Sequence, residues 1–346
     1  MGNQLSKSDA KNITTNYRYD ALNRLTAIDY PDDALDVTLI YDESSNSKGR
    51  LSLVNDGSGS TEYQYTALGQ ISSKISTISG KAFNINYSYN GSGQLTEITL
   101  PSGRVVALTR DIHGLVAGIS ERKGILTTNL LSDPSYVPFG PAKAFTLGNG
   151  KATTKTHNLN GQLASIDVSG IYQASLTYNS DSNIIGLANS VAPTTNQSFT
   201  YDELDRLTEA TGAYDTLGYS YDSASNRITK TTNTDVDSID YTASSNQLAR
   251  PYAHDFNGNR GQDSKRTYSY GNHNRLTTIT NDESGVKTTY LYNALGQRVK
   301  KSNVFGEIYF IYDEQGLLMA EANDKGSIIK EYVYFEGQPL VMLVGE

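Results

Sequence analysis

Tyr17-Arg18-Tyr19-Asp20-Ala21-Leu22-Asn23-Arg24-Leu25 states the pattern that decides the fold. It returns as Thr200-Tyr201-Asp202-Glu203-Leu204-Asp205-Arg206-Leu207, and again as Tyr290-Leu291-Tyr292-Asn293-Ala294-Leu295-Gly296-Gln297-Arg298. The second tyrosines of the phrase are Tyr19, Tyr41, Tyr65, Tyr89, Tyr178, Tyr201, Tyr221, Tyr241, Tyr270, Tyr292, Tyr312 and Tyr334, and most neighbours lie 20 to 24 residues apart. Arg110, His157 and His254 stand in the same slot of degenerate copies. The 47-residue gap from Arg110 to His157 marks a decayed copy around Tyr136 to Gly150, and the count comes to about fifteen units. Self-similarity at a fixed period means a modular array, so the unit is read before any single residue.

Tyr-x-Tyr places two aromatic rings on one face of a strand. The Asp that follows bonds backbone N–H groups in a turn. The fourth turn position holds Asn23, Gly69, Gly93, Gly114, Gly161, Asn274, Gly296 or Gly316, residues that tolerate a positive φ. A second alternating strand follows, as in Leu25-Thr26-Ala27-Ile28 or Leu95-Thr96-Glu97-Ile98. A further turn closes the unit, as at Asp56-Gly57-Ser58-Gly59 or Pro101-Ser102-Gly103. Two strands and two turns account for roughly 22 residues.

The chain is therefore expected to be all-β, an array of about thirty antiparallel strands, which at about 4.8 Å each would make a ribbon roughly 140 Å wide. Sheets of that extent curl, split or close. A parallel β-helix has coils of similar length but needs no reversing turn in every copy. A propeller would pair units into blades of about 44 residues, without the Trp-Asp marks of common propellers. A long curved antiparallel sheet explains both turns. The expected organisation is a lead-in over 1–16 and one continuous repeat region over 17–346.

Composition narrows the function. The 346 residues carry a net charge of −8 and a pI near 5.1, and 37% are apolar. With 25 Tyr, 30 Gly and no Trp, such a chain builds a broad, thin core in which tyrosine rings bury and their hydroxyls stay wet. The acidic balance, with no offsetting Lys/Arg cluster, argues against nucleic acid as a partner. The lack of cysteine removes disulfides, thiolate nucleophiles and Cys-ligated zinc. No apolar run approaches a membrane span. Met1-Gly2-Asn3-Gln4-Leu5-Ser6 has no apolar signal core, so export is expected by another route, or the chain as a piece of a longer one.

Chemistry-bearing candidates are few. Asp255-Phe256-Asn257-Gly258-Asn259 looks like the start of a calcium loop. Its glycine falls at the fourth position, and Arg266 stands where a bidentate Glu belongs, so it reads as a repeat turn. His113, His157, His254 and His273 are dispersed, without metal-ligand spacing. Asp32-Asp33, Glu203 and Asp205 could be imagined as a glycosidase pair, but acidic residues that recur in turns, such as Asp20, Asp42, Asp202, Asp222 and Asp313, serve the scaffold. No Gly-x-Ser-x-Gly elbow is present. The expectation is a non-enzymatic chain with no catalytic, cofactor or metal residues. The tyrosines suit cross-strand packing, with stacking on sugar rings as the competing use.

The phrase Tyr-x-Tyr-Asp-x-x-Gly/Asn-Arg-Leu-Thr resembles the YD repeat of the RHS (rearrangement hotspot) proteins, from about Tyr17 to Leu343. That family includes polymorphic toxins, shell components of insecticidal toxin complexes, wall-associated proteins and animal teneurins. The resemblance implies a spiral β-sheet, a partial RHS β-shell that encloses a C-terminal toxin or cargo polypeptide, in a secreted or cell-surface bacterial protein. An adhesion or carbohydrate-binding module is the alternative. Tyr334-Phe335-Glu336-Gly337-Gln338-Pro339-Leu340 looks like the stretch before the core of bacterial members. The chain is expected to stop short of that core, since Asp133-Pro134 continues as Ser135-Tyr136 and does not match its Asp-Pro-x-Gly-Leu. Self-cleavage is therefore not carried over from the resemblance.

Overall fold

In the computed structural model, residues 2–249 and 251–345 are described. They form thirty-four strands and two three-residue 3-10 turns, Asp33–Leu35 and Pro193–Thr195. Strands pair antiparallel with their neighbours in sequence within three sheets of twenty-two, two and ten strands, as in Thr14–Tyr19 with Leu25–Asp29 and Gln197–Tyr201 with Leu207–Gly212. The all-β reading and the hairpin array stand.

One local device builds most hairpins of the repeat. Asp20 Oδ1 accepts the N–H groups of Leu22 and Arg24, both at 2.9 Å. Asp202 does the same with Leu204 and Arg206, and Asn293 with Leu295 and Gln297. The fourth residue then turns left-handed, with φ 61° at Asn23, 58° at Asp205 and 78° at Gly296. This is a type I turn closed by a left-handed residue, and it shifts the ladder by one, as between Arg18 and Tyr19. The short Asx side chain is needed because it must fold back within its own turn.

The chain also matches the polarity of the turn's first and fifth residues. Asp20 Oδ2 accepts from Arg24 Nε at 2.6 Å, and Asp202 Oδ2 from Arg206 Nε at 2.7 Å. At three turns where Asn replaces Asp, Gln replaces Arg: Asn90 Nδ2 donates to Gln94 Oε1 at 3.0 Å, Asn158 to Gln162 at 2.6 Å and Asn293 to Gln297 at 2.7 Å. The arginine reaches the next copy as well. Arg24 lies 4.3 Å from the centre of the Tyr41 ring and 2.8 Å from Asp42 Oδ2, and Arg206 lies 4.7 Å from the Tyr221 ring.

Successive hairpins are joined by the second tyrosine. Strands Leu25–Asp29 and Val37–Tyr41 pair only at Ala27–Thr38 and Ile28–Val37, which leaves the Leu25 carbonyl outside the ladder. Tyr41 Oη donates to it at 2.9 Å. The bond recurs from Tyr65 to Leu51 at 2.7 Å, Tyr89 to Ile71 at 2.8 Å, Tyr178 to Leu163 at 2.8 Å, Tyr201 to Ile184 at 2.8 Å and Tyr334 to Leu318 at 2.8 Å. Tyr136 makes it too, to Val116 at 2.7 Å. The copy read as decayed is thus present: Val137-Pro138-Phe139-Gly140 forms its turn, with Gly140 N–H bonded to the Val137 carbonyl at 3.0 Å. Val137 in place of Asp hid that turn from the sequence pattern. Asp133, at φ 52°, and Pro134 lie at the register break between Ser132 and Ser135, since proline cannot donate to a ladder.

The chain divides into two compact units. One comprises 1–108, 121–127 and 251–346. Its two long arms share a core of full-sized side chains, including Val54, Phe83, Ile85 and Leu100 from the first arm and Tyr309, Ile311, Met319 and Val333 from the second. Phe83 and Tyr309 meet with ring centres 5.9 Å apart. The broad, thin core expected from composition does not describe this unit. It does describe the other, 109–120 with 128–250: from 142 onward its buried apolar side chains, among the described residues, are Ala142, Ala174 and Ala210.

Three outcomes follow from the hairpin chemistry. Gly69→Val and Gly296→Val should each destabilise by more than about 1 kcal/mol in chemical denaturation, through forced positive φ. At both sites a Cβ would also run into an arginine guanidinium, that of Arg50 at Gly69 and that of Arg275 at Gly296. Tyr65→Phe and Tyr178→Phe should each cost about 1 kcal/mol, and unchanged midpoints would remove the hydroxyl from the list of stabilising bonds. Arg206 holds the Asp202 carboxyl below its ordinary value. A depressed folded value means that this contribution is complete above the ordinary carboxylate range and is lost as pH falls through it. The pair swap Asp202→Asn with Arg206→Gln should therefore keep the melting temperature at pH 7 and lose less of it at about pH 3 than the wild-type chain.

Candidate functional site

The strongest concentration of buried polar chemistry lies where the two arms of the first unit meet. The turn at Pro101-Ser102-Gly103 presents Ser102, whose N–H and hydroxyl donate to Glu331 Oε1 at 2.9 Å and Oε2 at 2.7 Å. Arg104 immediately precedes the next strand, Val105–Arg110. Its guanidinium bonds Glu121 Oε1 at 3.2 Å and the Val344 carbonyl at 3.1 Å, and lies 3.6 Å from Glu331 Oε2. Glu331 is 2% exposed. A carboxylate so deeply buried is tolerable only with partners, and this one has a cation, a hydroxyl and a backbone N–H.

A second junction is built on Lys74. Its Nζ lies 3.2 Å from both Glu314 Oε1 and the Asp313 carbonyl. Burial pushes the neighbouring Asp313 carboxyl up, and pushes the Tyr63 and Tyr87 hydroxyls up more strongly. A third joins Asp56 Oδ2 to the Ala294 N–H at 2.6 Å. A fourth pairs Lys11 with Asp255 at 3.2 Å and Asn257 with Asp9 at 2.6 Å. Together these make a polar seam between segments separated by about 230 to 250 residues in sequence.

The candidates raised by the sequence are scattered in other roles. Asp255 Oδ1 accepts from Asn257 and Asn259 N–H at 3.0 and 2.9 Å, the ordinary turn bonds of the repeat. His157 and His254 occupy tyrosine slots opposite Leu163 and Arg260, and His113 sits in the Asp111 turn. His273 stacks edge-on between Tyr30 and Tyr292, and burial lowers its pKa. Asp32 caps the short turn at Ala34, and Asp205 accepts from Asn183 at 2.6 Å. Among the described residues no three His, Cys, Asp or Glu side chains converge as a metal ion would require, and no helix is long and apolar enough to cross a membrane. Sequence reasoning missed Lys74, Arg104 and Glu331. Their only signal was a charge on a strand, at Lys74 and Glu331, or just before one, at Arg104.

Comparison with known proteins agrees with the repeat chemistry. The RHS Repeat pattern matches residues 2–34, and the Teneurin YD-shell pattern matches 42–123 and 152–342. The tRNA3(Ser)-specific nuclease WapA of Bacillus spizizenii is 31% identical over 151 residues, 41% of this chain. The tRNA nuclease WapA of Bacillus subtilis is 33% identical over 145 residues, 39% of this chain. The chain spans only 6% of the length of either relative. The crystal structure of TcdB2-TccC3 without its hypervariable C-terminal region superposes over 99% of this chain and 24% of that one, with a TM-score of 0.77 at 15% identity. The pore form of the Photorhabdus luminescens Tc holotoxin covers 98% of this chain and 23% of that one, with a TM-score of 0.74 at 16% identity. The fold is thus the one found in those toxin complexes, and it is a structural, shell-type fold. With the tyrosine ladder, the Asx turns and a pattern match over most of its length, the chain belongs to the Teneurin YD-shell family.

Proposed function

We propose that this chain is a run of shell wall, with no catalytic role of its own, that walls off a polypeptide lying C-terminal to it in a parent protein exported or displayed by a bacterium. The observation that carries this reading is the seam. A wall that must hold a polypeptide needs its ends secured against each other, and the turn at Ser102 is fastened to Glu331 across 229 residues. The likeness to the Photorhabdus luminescens Tc holotoxin pore and the partial match to the WapA nucleases support the same role, because those proteins are named as a holotoxin and as nucleases. We read the repeat region as one continuous array, with the thinly buried stretch from 142 to 249 as wet wall that offers a cargo few apolar places to dock. The hydroxyls of the ladder tyrosines are engaged with carbonyls, which supports packing over sugar stacking as their use.

The test is a fusion that places a marginally stable reporter enzyme after Glu346. Enclosure predicts a reporter that is inactive and resistant to protease in the fusion. Glu331→Ala, which leaves Arg104 and Ser102 without their shared partner, should cost about 3 kcal/mol and restore protease access. A reporter that folds, works and is cleaved freely in the unaltered fusion would remove the enclosure reading, and specific retention on a glycan array would replace it with surface binding.

A further inference from the structure

The seam of the first unit follows one rule over three successive turns. In both arms the Asx turns line one edge of the sheet, and the turns that close each unit line the other. Each of three Asx turns in the second arm sits on a unit-closing turn of the first. Asn257, in the Asp255 turn, donates to Asp9 at 2.6 Å. His273, in the Gly271 turn, lies edge-on to Tyr30 with ring centres 6.3 Å apart. Ala294, second in the Asn293 turn, gives its N–H to Asp56 Oδ2 at 2.6 Å. It packs on the cluster of Val37, Val54 and Tyr63, which Leu39 and Leu51 also join. With these tips in place, the cleft between the first-arm turns at 30–36 and 56–59 keeps only about 50 Å3 of space.

Both halves of this contact recur in the first unit with nothing on them. In the first arm, Ala21-Leu22 and Ala67-Leu68 hold the turn positions that Ala294-Leu295 holds in the docked turn. Both alanines are exposed, and among the described residues their N–H groups make no hydrogen bond. Leu22 and Leu68 are exposed as well. In the second arm, Asn303-Val304-Phe305-Gly306 repeats the geometry of Asp56-Gly57-Ser58-Gly59. Asn303 Oδ1 accepts the Phe305 N–H at 2.9 Å, as Asp56 Oδ1 accepts that of Ser58 at 2.8 Å. Val304 and Phe305 are exposed, and open clefts of about 600 and 370 Å3 flank their turn. Lys287 and Lys301 line those clefts, and Asp42 and Glu43 stand exposed on the turn between the two free tips, so the charges are complementary. Asn303 carries an amide where Asp56 offers its second oxygen, so this seat lacks the acceptor that holds Ala294.

Exposed apolar groups rimmed by charge mark contact surfaces. From the repeated tips, the repeated turn and the filled counterpart, we propose that the Ala21 and Ala67 tips of one copy of this chain seat in the second-arm clefts of another copy, as Ala294 seats in the first arm. The surface given differs from the surface received, so the contact adds copies head to tail. It does not depend on the enclosure reading.

Sedimentation velocity of the full chain over a concentration series tests this. The wild-type chain, 37.7 kDa, should form dimers and then longer species as concentration rises. Ala21→Glu with Ala67→Glu alters the tips alone, and the fold accepts the change because Glu203 holds that position in another turn. Phe305→Glu alters the seat alone. Each of these two chains by itself should stay monomeric with an unchanged melting temperature. An equimolar mixture of the two should give a species of two chains and stop there, because one chain keeps its seat and the other keeps its tips. Asn303→Asp restores the missing acceptor and should lower the concentration at which assembly begins. A wild-type chain that is monomeric throughout overturns the proposal. So do altered chains that assemble like the wild type, a mixture that stays monomeric, or an Asn303→Asp chain that assembles no more readily.

Discussion

A carbonyl left outside the ladder governs this molecule. The left-handed residue that closes each Asx turn shifts register, and the strand after the turn pairs with its next neighbour only from its third residue onward. The first carbonyl of that strand then lacks a backbone donor, and a group so placed must find another partner or face solvent. The second tyrosine supplies its hydroxyl from about 14 to 20 residues downstream. Its ring covers the strand at the same time, and the arginine of the preceding turn stacks on that ring at Tyr41 and Tyr221. Turn, bulge, tyrosine and arginine are thus one device, and the period of the sequence is the distance over which that device closes.

The device tolerates chemical substitution when both ends change together. Asp with Arg and Asn with Gln satisfy the same geometry, one through charge and one through amide groups. The ionic version reaches into the next copy, and Gln70, in a turn that begins with Thr66, does so too by donating to the Gly93 carbonyl at 2.5 Å. At Asp313 the fifth residue is Leu317, and the buried carboxylate accepts backbone N–H groups with no guanidinium on it, so burial raises its pKa where Arg206 lowers that of Asp202.

The same repeat supports two different interiors. In the unit of 1–108, 121–127 and 251–346, inward positions carry Phe, Ile, Met and Tyr, because a second arm lies against them. In the other unit, from 142 onward, comparable strands carry Ala, Thr and Asn at their buried positions. The backbone chemistry is indifferent to this choice, since it is completed along the sheet and not across it. That independence lets one repeat serve both as packed core and as thin wall.

The fold class, the hairpin period and the positive-φ positions were legible in the sequence because they rest on local chemistry: alternation of side chains, an Asx residue at the turn and Asn or Gly three residues later. The copy at Tyr136 was not, because Val137 does without the side-chain bonds that mark the other turns. The seam was equally hidden. Nothing in the local pattern sets Lys74, Arg104 and Glu331 apart from other charges, or Leu39, Leu51 and Val54 apart from other apolar residues. Their roles depend on which segment lies opposite, some 230 residues away, and no local periodicity encodes that pairing. The sequence by itself determined how each hairpin closes and joins the next. Only the tertiary structure decided which hairpins face one another, because burial of a charge or an apolar face is a property of the two surfaces that meet.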